Sequence, residues 1–365
     1  MNLDKITQGI EIDRAINEFR SGRPIIVNIR YKNWIFFSIE HVNTKLLVQL
    51  AKKSLSKILA FITNKKASIL KNKLLKHKDA MVFCIKITDI KWLQLIHKRK
   101  LSNSDKKKLN KYPFLKSEKF IKDIINLTKN AKMIPCLIGC ELKPNLANHA
   151  IMMFDYNELK NQHRLITKST KIISQSYIPI AKDHKAQISI FKSYVGGSEH
   201  IVLQIGKPNK KKAVNLRIQS VCLTGEVFHS MKCDCNEQLH HSIDYISKNG
   251  GGYIIHLEQE GRGIGLANKI KAYDLQNKGM DTFDADFTMG FLGEERDFDI
   301  AVHIIKYLKV KKVNLITNNQ DKIKALRNNN IIIEKQLSTY PSLNKFNTKY
   351  LLTRSKRMNY NIKLK

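Results

Sequence analysis

This chain lacks the features that place a protein in a membrane or in an oxidising compartment. No stretch approaches about eighteen consecutive apolar residues, so no transmembrane helix is predicted. The chain does not begin with a charged stretch followed by a short apolar run, so no secretory signal is predicted. Six cysteines in 365 residues are too few for a disulfide framework. We therefore expect a cytoplasmic protein whose cysteines stay reduced.

Acidic residues and arginine are scarce as well. Lys and Arg number 65 against 31 Asp and Glu, a formal net charge of +34, yet only 12 of the basic residues are Arg. Arg is expected where a protein recognises phosphates or bases with paired hydrogen bonds, and no aromatic residues interleave with the lysines as a stacking platform. The composition therefore argues against nucleic acid as a partner, although a basic surface attracts small anionic substrates.

The chain is long enough for two domains, and its character changes near residue 172. We predict one domain over residues 1–172 and a second over residues 173–365. In the first we expect a helix over 10–20, a strand over 24–29, helices within 44–76, a loop over 98–111 and a strand over 150–154. In the second we expect strands over 187–191, 201–205, 216–223, 253–257, 313–316 and 331–333, and helices over 238–248, 264–277, 298–308 and 321–328. Such alternation favours an α/β fold, with α+β left open.

Three cysteines with the spacing C-x10-C-x-C are the clearest chemical signal. Cys222, Cys233 and Cys235 supply three thiolates and no obvious fourth ligand. Structural zinc sites close with four protein ligands, whereas catalytic sites keep one position open. An extended segment would point the sulfurs of Cys233 and Cys235 the same way. The spacing alone fits three buried apolar cysteines equally well, which is how we interpret the remaining three, Cys84, Cys136 and Cys140.

Two further segments suggest a binding site for an anion. The run from Gln259 to Leu266 stands between a predicted strand and a predicted helix, where backbone N–H groups can receive a phosphate. Glu260 and Arg262 add a carboxylate for Mg²⁺ or a base edge and a cation for phosphates. Thr317 ends another predicted strand, which is where ligands bind in α/β sheets. Each segment alone also fits an ordinary turn.

Taken together, six blocks resemble GTP cyclohydrolase II over about residues 176–360. They read RIQSVCLTGEVFHSMKCDCNEQL, QEGRGIGLANKIKAYDLQ, DTFDAD, MGFLGEERDF, LITNNQDKI and YLLTRSKRMNY. The resemblance implies hydrolysis of GTP to 2,5-diamino-6-(5-phospho-ribosylamino)pyrimidin-4-one, formate and pyrophosphate, the first step of riboflavin biosynthesis. It also implies one zinc ion per subunit, Mg²⁺ with the GTP phosphates, and a homodimer.

The resemblance assigns roles residue by residue. The matching metal ligands are Cys222, Cys233 and Cys235. Tyr273 matches the tyrosine that places the ring over zinc, Arg296 a residue that assists pyrophosphate release, and Glu294 a proton acceptor. The matching GTP contacts are Arg217, Ile218, Gln219, Ser220, Val221, Gln238, Glu260, Gly261, Arg262, Thr282, Thr317 and Lys322.

Several positions depart from the family pattern, and two of them bear on activity. Val221 stands where a Glu usually precedes the first zinc cysteine, and Glu294 stands where an Asp is usual. A pseudoenzyme that binds zinc or nucleotide is therefore one alternative, and an enzyme that stops at the ring-opened formamidopyrimidine is another.

Residues 10–27 resemble the opening of 3,4-dihydroxy-2-butanone 4-phosphate synthase. The acidic metal motif that should follow is replaced by Asn28-Ile29-Arg30-Tyr31-Lys32-Asn33, which has no carboxylate, and Asn148-His149-Ala150 is a poor remnant of a later block. Because Mg²⁺ requires oxygen ligands, we predict a divergent α/β domain without synthase activity. A bifunctional enzyme is the alternative.

Overall fold

The computed structural model describes residues 3–52, 54, 56–71, 80–143, 151–180, 184–340, 342–348 and 351–352. The motif Asn148-His149-Ala150 and nearly all of the block YLLTRSKRMNY lie outside these residues. The chain forms two compact units, and each of them uses two stretches of sequence. The N-terminal unit comprises Met1–Leu165 and Ala267–Glu295, and the C-terminal unit comprises Ile166–Leu266 and Arg296–Lys365. The domain boundary predicted at residue 172 stays a prediction.

The described residues of the N-terminal unit contain a seven-stranded sheet of order β5-β4-β3-β6-β2-β1-β7. Its strands are β1 Ile25–Ile29, β2 Lys32–Ser38, β3 Leu59–Ile62, β4 Met81–Cys84, β5 Leu115–Lys116, β6 Cys136–Leu142 and β7 Met153–Asp155. Neighbours are antiparallel except β1 and β7. The helices are α1 Leu3–Arg20, α2 Thr44–Ala51, α3 Asn64–Lys71, α4 Ile90–Ile96, α5 Asn103–Asn110, α6 Phe120–Asn130, α7 Tyr156–Leu159 and α8 Gln162–Ser169, the last of which continues from Ile166 in the C-terminal unit.

Two predictions in this unit are wrong in part. The stretch predicted as helical from residue 44 contains α2 and α3, but strand β3 lies between them and pairs with both β4 and β6. The predicted loop over 98–111 contains helix α5. Ser102 and Asp105 form a capping box that satisfies the first N–H groups of α5. Long-range pairing decided the first case, and a local cap decided the second.

The cysteines of this unit divide into two groups. Cys136 and Cys140 lie buried in β6 and fill the core, as predicted. Cys84 is exposed, so its assignment to the core is wrong. It is the last residue of β4, and the outward position at the strand end separates it from its apolar neighbours.

The segment that replaces the expected acidic motif is a tight hairpin between β1 and β2. Arg30 and Tyr31 both have positive φ, 52° and 67°, which is the backbone of a two-residue turn matched to the twist of the strands. The amide of Asn28 donates to the side-chain oxygen of Asn33 at 2.8 Å. The amides thus close the turn where metal-binding carboxylates were expected.

The described part of the C-terminal unit contains a second seven-stranded sheet, of order β14-β13-β11-β12-β10-β9-β8. Its strands are β8 Thr170–Ile180, β9 His184–Ser193, β10 Glu199–Ile205, β11 Val214–Ser220, β12 Gly252–Leu257, β13 Lys312–Ile316 and β14 Ile332–Leu337. The four strands β14, β13, β11 and β12 are parallel, and β10, β9 and β8 continue the sheet antiparallel. The mixed α/β class is confirmed.

Among the described residues in the second half of the chain, four helices lie within a few residues of their predicted positions, and two further helices, the first and the fourth, were not predicted. They are α9 Leu223–Glu226, α10 Cys235–Lys248, α11 Leu266–Asn277, α12 Thr282–Met289, α13 Asp299–Tyr307 and α14 Gln320–Arg327. Helix α12 and all but the first residue of α11 belong to the N-terminal unit. Among the described residues, no helix is both long and apolar enough to cross a membrane.

Candidate active site

The parallel strands of the C-terminal unit place three predicted segments at one edge of the sheet. Ser220 at the end of β11 is in register with Leu257 at the end of β12, and Arg217 in β11 is in register with Ile316 at the end of β13. The chain leaves these strands toward Cys222, Glu260 and Thr317 respectively. The carboxyl ends of parallel strands are where ligands bind in such sheets.

The three cysteines converge there. Their sulfur atoms all lie within 4.8 Å of one another, and the Sγ atoms of Cys222 and Cys233 are 3.7 Å apart. Sulfur ligands at about 2.3 Å from a tetrahedral zinc ion lie about 3.8 Å from one another. The spacing therefore fits a metal ion, and the three cysteines could hold one.

The local backbone at the cysteines is not the extended segment that the sequence analysis considered. Cys222 lies just before the short helix α9, and Cys235 is the first residue of α10. Asp234 between the two later cysteines has φ −104° and ψ 15°, which is not strand backbone. The sulfurs converge because a turn and two helix starts bring them together, without an extended segment at Cys233–Cys235.

Gly225 leaves the space that the sulfurs occupy. A Cβ atom at this position would lie 2.7 Å from Sγ of Cys233 and 3.1 Å from Sγ of Cys222. Real Cβ atoms essentially never show the first of these distances, so any larger residue would displace a sulfur. The sequence analysis did not single out Gly225. Its position between the first and second cysteines was the available signal.

Two of the three thiols, those of Cys233 and Cys235, resist ionisation because of their neighbours. The hydrogen bond to Cys222, together with burial, raises the pKa of Cys233 to about 11. Hydrogen bonds to Cys222 and Cys233 raise the pKa of Cys235 well above that of a free thiol. A cation at this point would supply the charge that stabilises the thiolates, and thiols that bind a metal release their protons. The donor set therefore fits a divalent metal ion that accepts sulfur.

Glu226 supports the cysteine cluster through hydrogen bonds to residues around it. It was not among the residues predicted from the sequence. Its carboxylate accepts the backbone N–H of Cys222 at 3.3 Å and the amide of Gln219 at 3.0 Å. His256 in β12 lies 2.9 Å from the same carboxylate. Burial opposes ionisation, but these hydrogen bonds, led by that from His256, hold the pKa of Glu226 below its usual range. The cluster therefore rests on a carboxylate–imidazole pair that joins β11, α9 and β12.

Arg217 and Gln238 form a second polar group below the strand ends. The guanidinium of Arg217 is buried and donates to the Gln219 side chain at 2.7 and 3.0 Å, to the Ile316 carbonyl at 3.1 Å and to Gln238. Gln238 in turn donates to Asp234, which stands between Cys233 and Cys235. These hydrogen bonds link Arg217 to the cysteine cluster through Gln238 and Asp234. Its predicted contact with GTP stays a prediction.

Buried polar atoms without hydrogen-bond partners mark the same edge. Among the described residues, these include the Ser220 hydroxyl at the end of β11, the side-chain oxygen of Gln259 after β12 and the side-chain amide of Asn319 after β13. A buried polar atom left unpaired costs free energy, so such atoms are rare. Three of them at three adjacent strand ends indicate a polar ligand. Ser220 was predicted as a contact, whereas Gln259 and Asn319 were not.

The glycine loop after β12 has a strained backbone. Gly261 and Arg262 both have positive φ, 61° and 62°. A positive φ is unusual for a residue with a side chain, such as Arg262. The Glu260 carboxylate accepts the N–H groups of Gly261 and Leu223, each at 2.7 Å. Glu260 thus ties this loop to the start of α9, next to Cys222. Strain of this kind is found at functional sites.

The remaining predicted residues divide between the two units. Thr317, Lys322 and Arg296 belong to the C-terminal unit. Lys322 is buried and donates to the carbonyl of Ile218 at 2.6 Å, and both Lys322 and Arg296 lie over the ring of Phe298. Val221 donates its N–H to Leu257 at 2.9 Å. Tyr273, Thr282 and Glu294 belong to the N-terminal unit.

Comparison with known proteins agrees with the motifs. The family model described as GTP cyclohydrolase II matches residues 171–338. A GTP cyclohydrolase-2 of Psychromonas ingrahamii is 44% identical over 196 residues, which cover 53% of this chain and 94% of the relative. One of Campylobacter hominis is 48% identical over 162 residues, or 44% of this chain and 81% of the relative. One of Xylella fastidiosa is 32% identical over 240 residues, or 65% of this chain and 60% of the relative.

A solved structure also aligns with the chain, at low similarity. A two-domain 3,4-dihydroxy-2-butanone 4-phosphate synthase from A. baumannii covers 90% of this chain and 99% of its own, with 10% identity and a TM-score of 0.31. Likeness at this level carries no argument about fold or activity. The sequence similarity to the Psychromonas ingrahamii relative, in contrast, covers 94% of that relative at 44% identity. The chain therefore belongs to the GTP cyclohydrolase II family of enzymes.

Proposed function

We propose that this protein hydrolyses GTP to 2,5-diamino-6-(5-phospho-ribosylamino)pyrimidin-4-one, formate and pyrophosphate, the first step of riboflavin biosynthesis. The observation that carries the proposal is the meeting of three thiols and three unpartnered polar atoms at one sheet edge. Membership of the family supports GTP as the substrate. A homodimer is part of the same proposal.

Cys222, Cys233 and Cys235 would hold one zinc ion in each subunit. A zinc ion bound by three protein ligands supplies a Lewis acid that activates water, here for attack at C8 of guanine. The chain's own contribution is to keep the sulfurs in place. Gly225 leaves room for them, and Glu226 fixes the backbone at Cys222.

Charged side chains around the strand ends would bind the triphosphate and its Mg²⁺. Arg262 and Arg296 offer cations, and Glu260 offers a carboxylate that already orients the glycine loop. Arg296 would stabilise the charge that develops as pyrophosphate leaves. The other proposed GTP contacts in this unit are Arg217, Ile218, Gln219, Ser220, Val221, Gln238, Gly261, Thr317 and Lys322.

Three further roles rest on the resemblance. Tyr273 would place the guanine ring, Thr282 would contact GTP, and Glu294 would accept a proton. Glu294 keeps the carboxylate of the usual Asp with one more methylene group, so the proton acceptor survives with a longer reach.

The test is turnover by the purified full chain with its zinc content measured. With GTP and Mg²⁺ we expect formate, pyrophosphate and the diaminopyrimidinone in equal amounts. Cys233→Ser should lose zinc and turnover together, because it removes one of three ligands. Cys84→Ser is the matched control, since Cys84 is exposed and lies in the N-terminal unit.

Other outcomes separate the alternatives. A zinc-loaded protein that binds GTP and releases no product would sink the proposal in favour of a binding protein. Formate retained on the product would indicate an enzyme that stops at the ring-opened formamidopyrimidine. Conversion of ribulose 5-phosphate would contradict the predicted lack of synthase activity in the first 172 residues.

A further inference from the structure

The segment Ala267–Glu295 belongs to the same compact unit as the first 165 residues. Its sequence matches the family blocks and carries Tyr273, Thr282 and Glu294. Its structural neighbours in this unit, however, are residues that precede the matched family region. The contacts of this segment therefore bear on the role of the N-terminal half.

The central contact is made by a buried lysine. Lys66 in α3 is fully buried, and its ammonium donates to the carbonyls of Ile96 and Thr288, the first of these at 2.8 Å. Thr63, three residues earlier, donates its hydroxyl to the carbonyl of Gly290 at 2.6 Å. Two side chains of the N-terminal half thus bind the end of helix α12.

The end of α12 needs such partners. The last carbonyls of a helix have no partner within the helix, and they carry the negative end of the helix dipole. Gly290 ends α12 with φ 99°, a left-handed backbone that turns the chain away. An ammonium and a hydroxyl at this point satisfy the carbonyls and favour the dipole.

Two more contacts hold helix α11 at the start of the segment. Lys271 donates to the Glu40 carboxylate at 2.5 Å, and Glu40 also accepts the N–H of Ile134 at 2.7 Å. Asn268 is buried and donates its amide to the carbonyl of Lys132 at 2.8 Å. Glu40 therefore joins α11 to the chain that enters β6.

A partly buried ion pair holds the end of the segment. Lys129 of α6 lies 3.0 Å from the carboxylate of Glu295, and the two side chains are 16% and 11% exposed. Glu295 also accepts the N–H of Leu292 at 2.8 Å, which fixes the turn that contains Glu294. Tyr273, Thr282 and Glu294 all lie between attached points of the segment.

We propose that residues 3–143 act as a scaffold that positions the segment Ala267–Glu295 for catalysis, with Lys66 as the central positioning residue. The catalytic part rests on the proposed GTP hydrolysis. Lys66 touches no reacting atom; it acts through helix α12, which begins at Thr282. The scaffold would explain why the chain keeps an N-terminal half that lacks the carboxylates of a synthase.

The surroundings of Lys66 show how specific the contact is. Burial lowers the pKa of Lys66 to about 7. His97 beside it is buried, and desolvation lowers the pKa of its imidazole well below the usual value. Burying a lysine among apolar groups costs free energy unless its ammonium is hydrogen-bonded.

The experiment compares Lys66→Met with Lys71→Met in the full chain. Lys71 lies on the same helix and also donates to two carbonyls, those of Leu109 and Tyr112, each at 3.1 Å. Neither carbonyl belongs to the segment, so Lys71 matches Lys66 in chemistry and differs in target. Hydrogen exchange of backbone amides and GTP turnover are measured on both variants and on the wild type.

We expect Lys66→Met to speed exchange of the amides over residues 282–291 by about tenfold, the effect of one lost hydrogen bond. Its kcat should fall while KM for GTP and the zinc content change little. Lys71→Met should speed exchange near Leu109 and Tyr112 and leave turnover unchanged. Thr63→Val, which removes a single hydroxyl, should act in the same direction as Lys66→Met and decides the case if Lys66→Met does not fold.

Two results would overturn the proposal. One is unchanged exchange over 282–291 in folded Lys66→Met and Thr63→Val. The other is faster exchange there with unchanged kcat. A wild type without GTP turnover would refute the proposed function, whereas the exchange data would still decide whether Lys66 holds the segment.

Discussion

The partly buried cysteine cluster and the buried contacts of Lys66 are both polar sites, yet they are built from very different stretches of chain. Cys222, Cys233 and Cys235 lie within fourteen consecutive residues, and Glu226 stands among them. Lys66 binds the carbonyls of Ile96 and Thr288, and Thr288 lies 222 residues from Lys66 along the sequence. The first site has a spacing that can be read as a motif. The second exists only because the chain returns to the N-terminal unit.

The two sites also differ in what balances their polar groups. The thiols have one another as partners, which raises the pKa of Cys233 and Cys235 and leaves them suited to a cation. Lys66 has carbonyl oxygens as partners, which need no added ion. The cysteine cluster could therefore hold a cation, whereas Lys66 serves the protein's own architecture.

The largest effect is expected from Gly225→Ala, which tests whether the cysteine cluster has room only for its sulfurs. The added Cβ would lie 2.7 Å from Sγ of Cys233, so the sulfur must move. Overpacking costs up to about 3 kcal/mol, or about a hundredfold in zinc affinity if the strain falls on the bound state. Zinc affinity is measured by chelator competition.

Gly197→Ala is the control for that variant, because an added Cβ at Gly197 meets nothing within 4 Å. Its φ of 73° makes it a strict control, since it includes the backbone strain that Gly225 lacks. Equal zinc affinities for Gly225→Ala and wild type would show that the sulfurs are not held in the observed positions.

A smaller effect is expected from Glu226→Gln, which tests the support behind the cluster. Glutamine has one acceptor oxygen where Glu226 uses two, so it must lose the bond to Cys222, Gln219 or His256. Supporting hydrogen bonds of this kind typically change metal affinity by about ten- to a hundredfold, and we expect the lower value because the change is conservative. Chelator competition again measures it.

Glu199→Gln provides the same chemical change at a side chain that is 52% exposed. It should leave zinc affinity unchanged. If Glu226→Gln behaves like Glu199→Gln, the carboxylate–imidazole pair does not support the cluster.

The last prediction concerns the pH dependence of stability at Lys66. Its pKa is about 7 in the folded chain, below the ordinary value of 10.5, so between these values the unfolded chain binds a proton that the folded chain does not. The free energy of unfolding should therefore rise with pH from about 7 to about 10. Lys66→Met should flatten this slope and Lys71→Met should not, as measured by urea unfolding across the range. Parallel slopes in wild type and Lys66→Met would contradict the burial of this lysine.

Much of the C-terminal unit could be predicted because its signals are local. The strands over residues 187–191, 201–205 and 253–257 alternate or run apolar, and β9, β10 and β12 contain them. Thr317 could be chosen as a candidate because ligands bind where strands end in α/β sheets. Gln259 and Asn319 were missed because the sequence does not show whether a polar side chain has a partner.

The wrong predictions in the N-terminal unit concern residues whose secondary structure or exposure depends on tertiary contacts or on a helix cap. Strand β3 is apolar at each of its four residues, so its pattern could not be distinguished from a buried helix until β4 and β6 paired with it. Helix α5 is polar nearly throughout, and its capping box was the signal available at Ser102. Cys84 is exposed because a strand end, unlike a strand centre, is not covered by its neighbours.

By itself, the sequence predicted the family, the mixed α/β class and, through the resemblance, the three cysteine ligands, because motif blocks and residue periodicity are properties of neighbouring residues. Only the tertiary structure decided that Gly225 gives the sulfurs their space, that Glu226 and His256 support them, and that Ala267–Glu295 packs with the N-terminal half. These depend on contacts between residues that are distant along the chain or on the space between side chains. No spacing in a sequence records either of them.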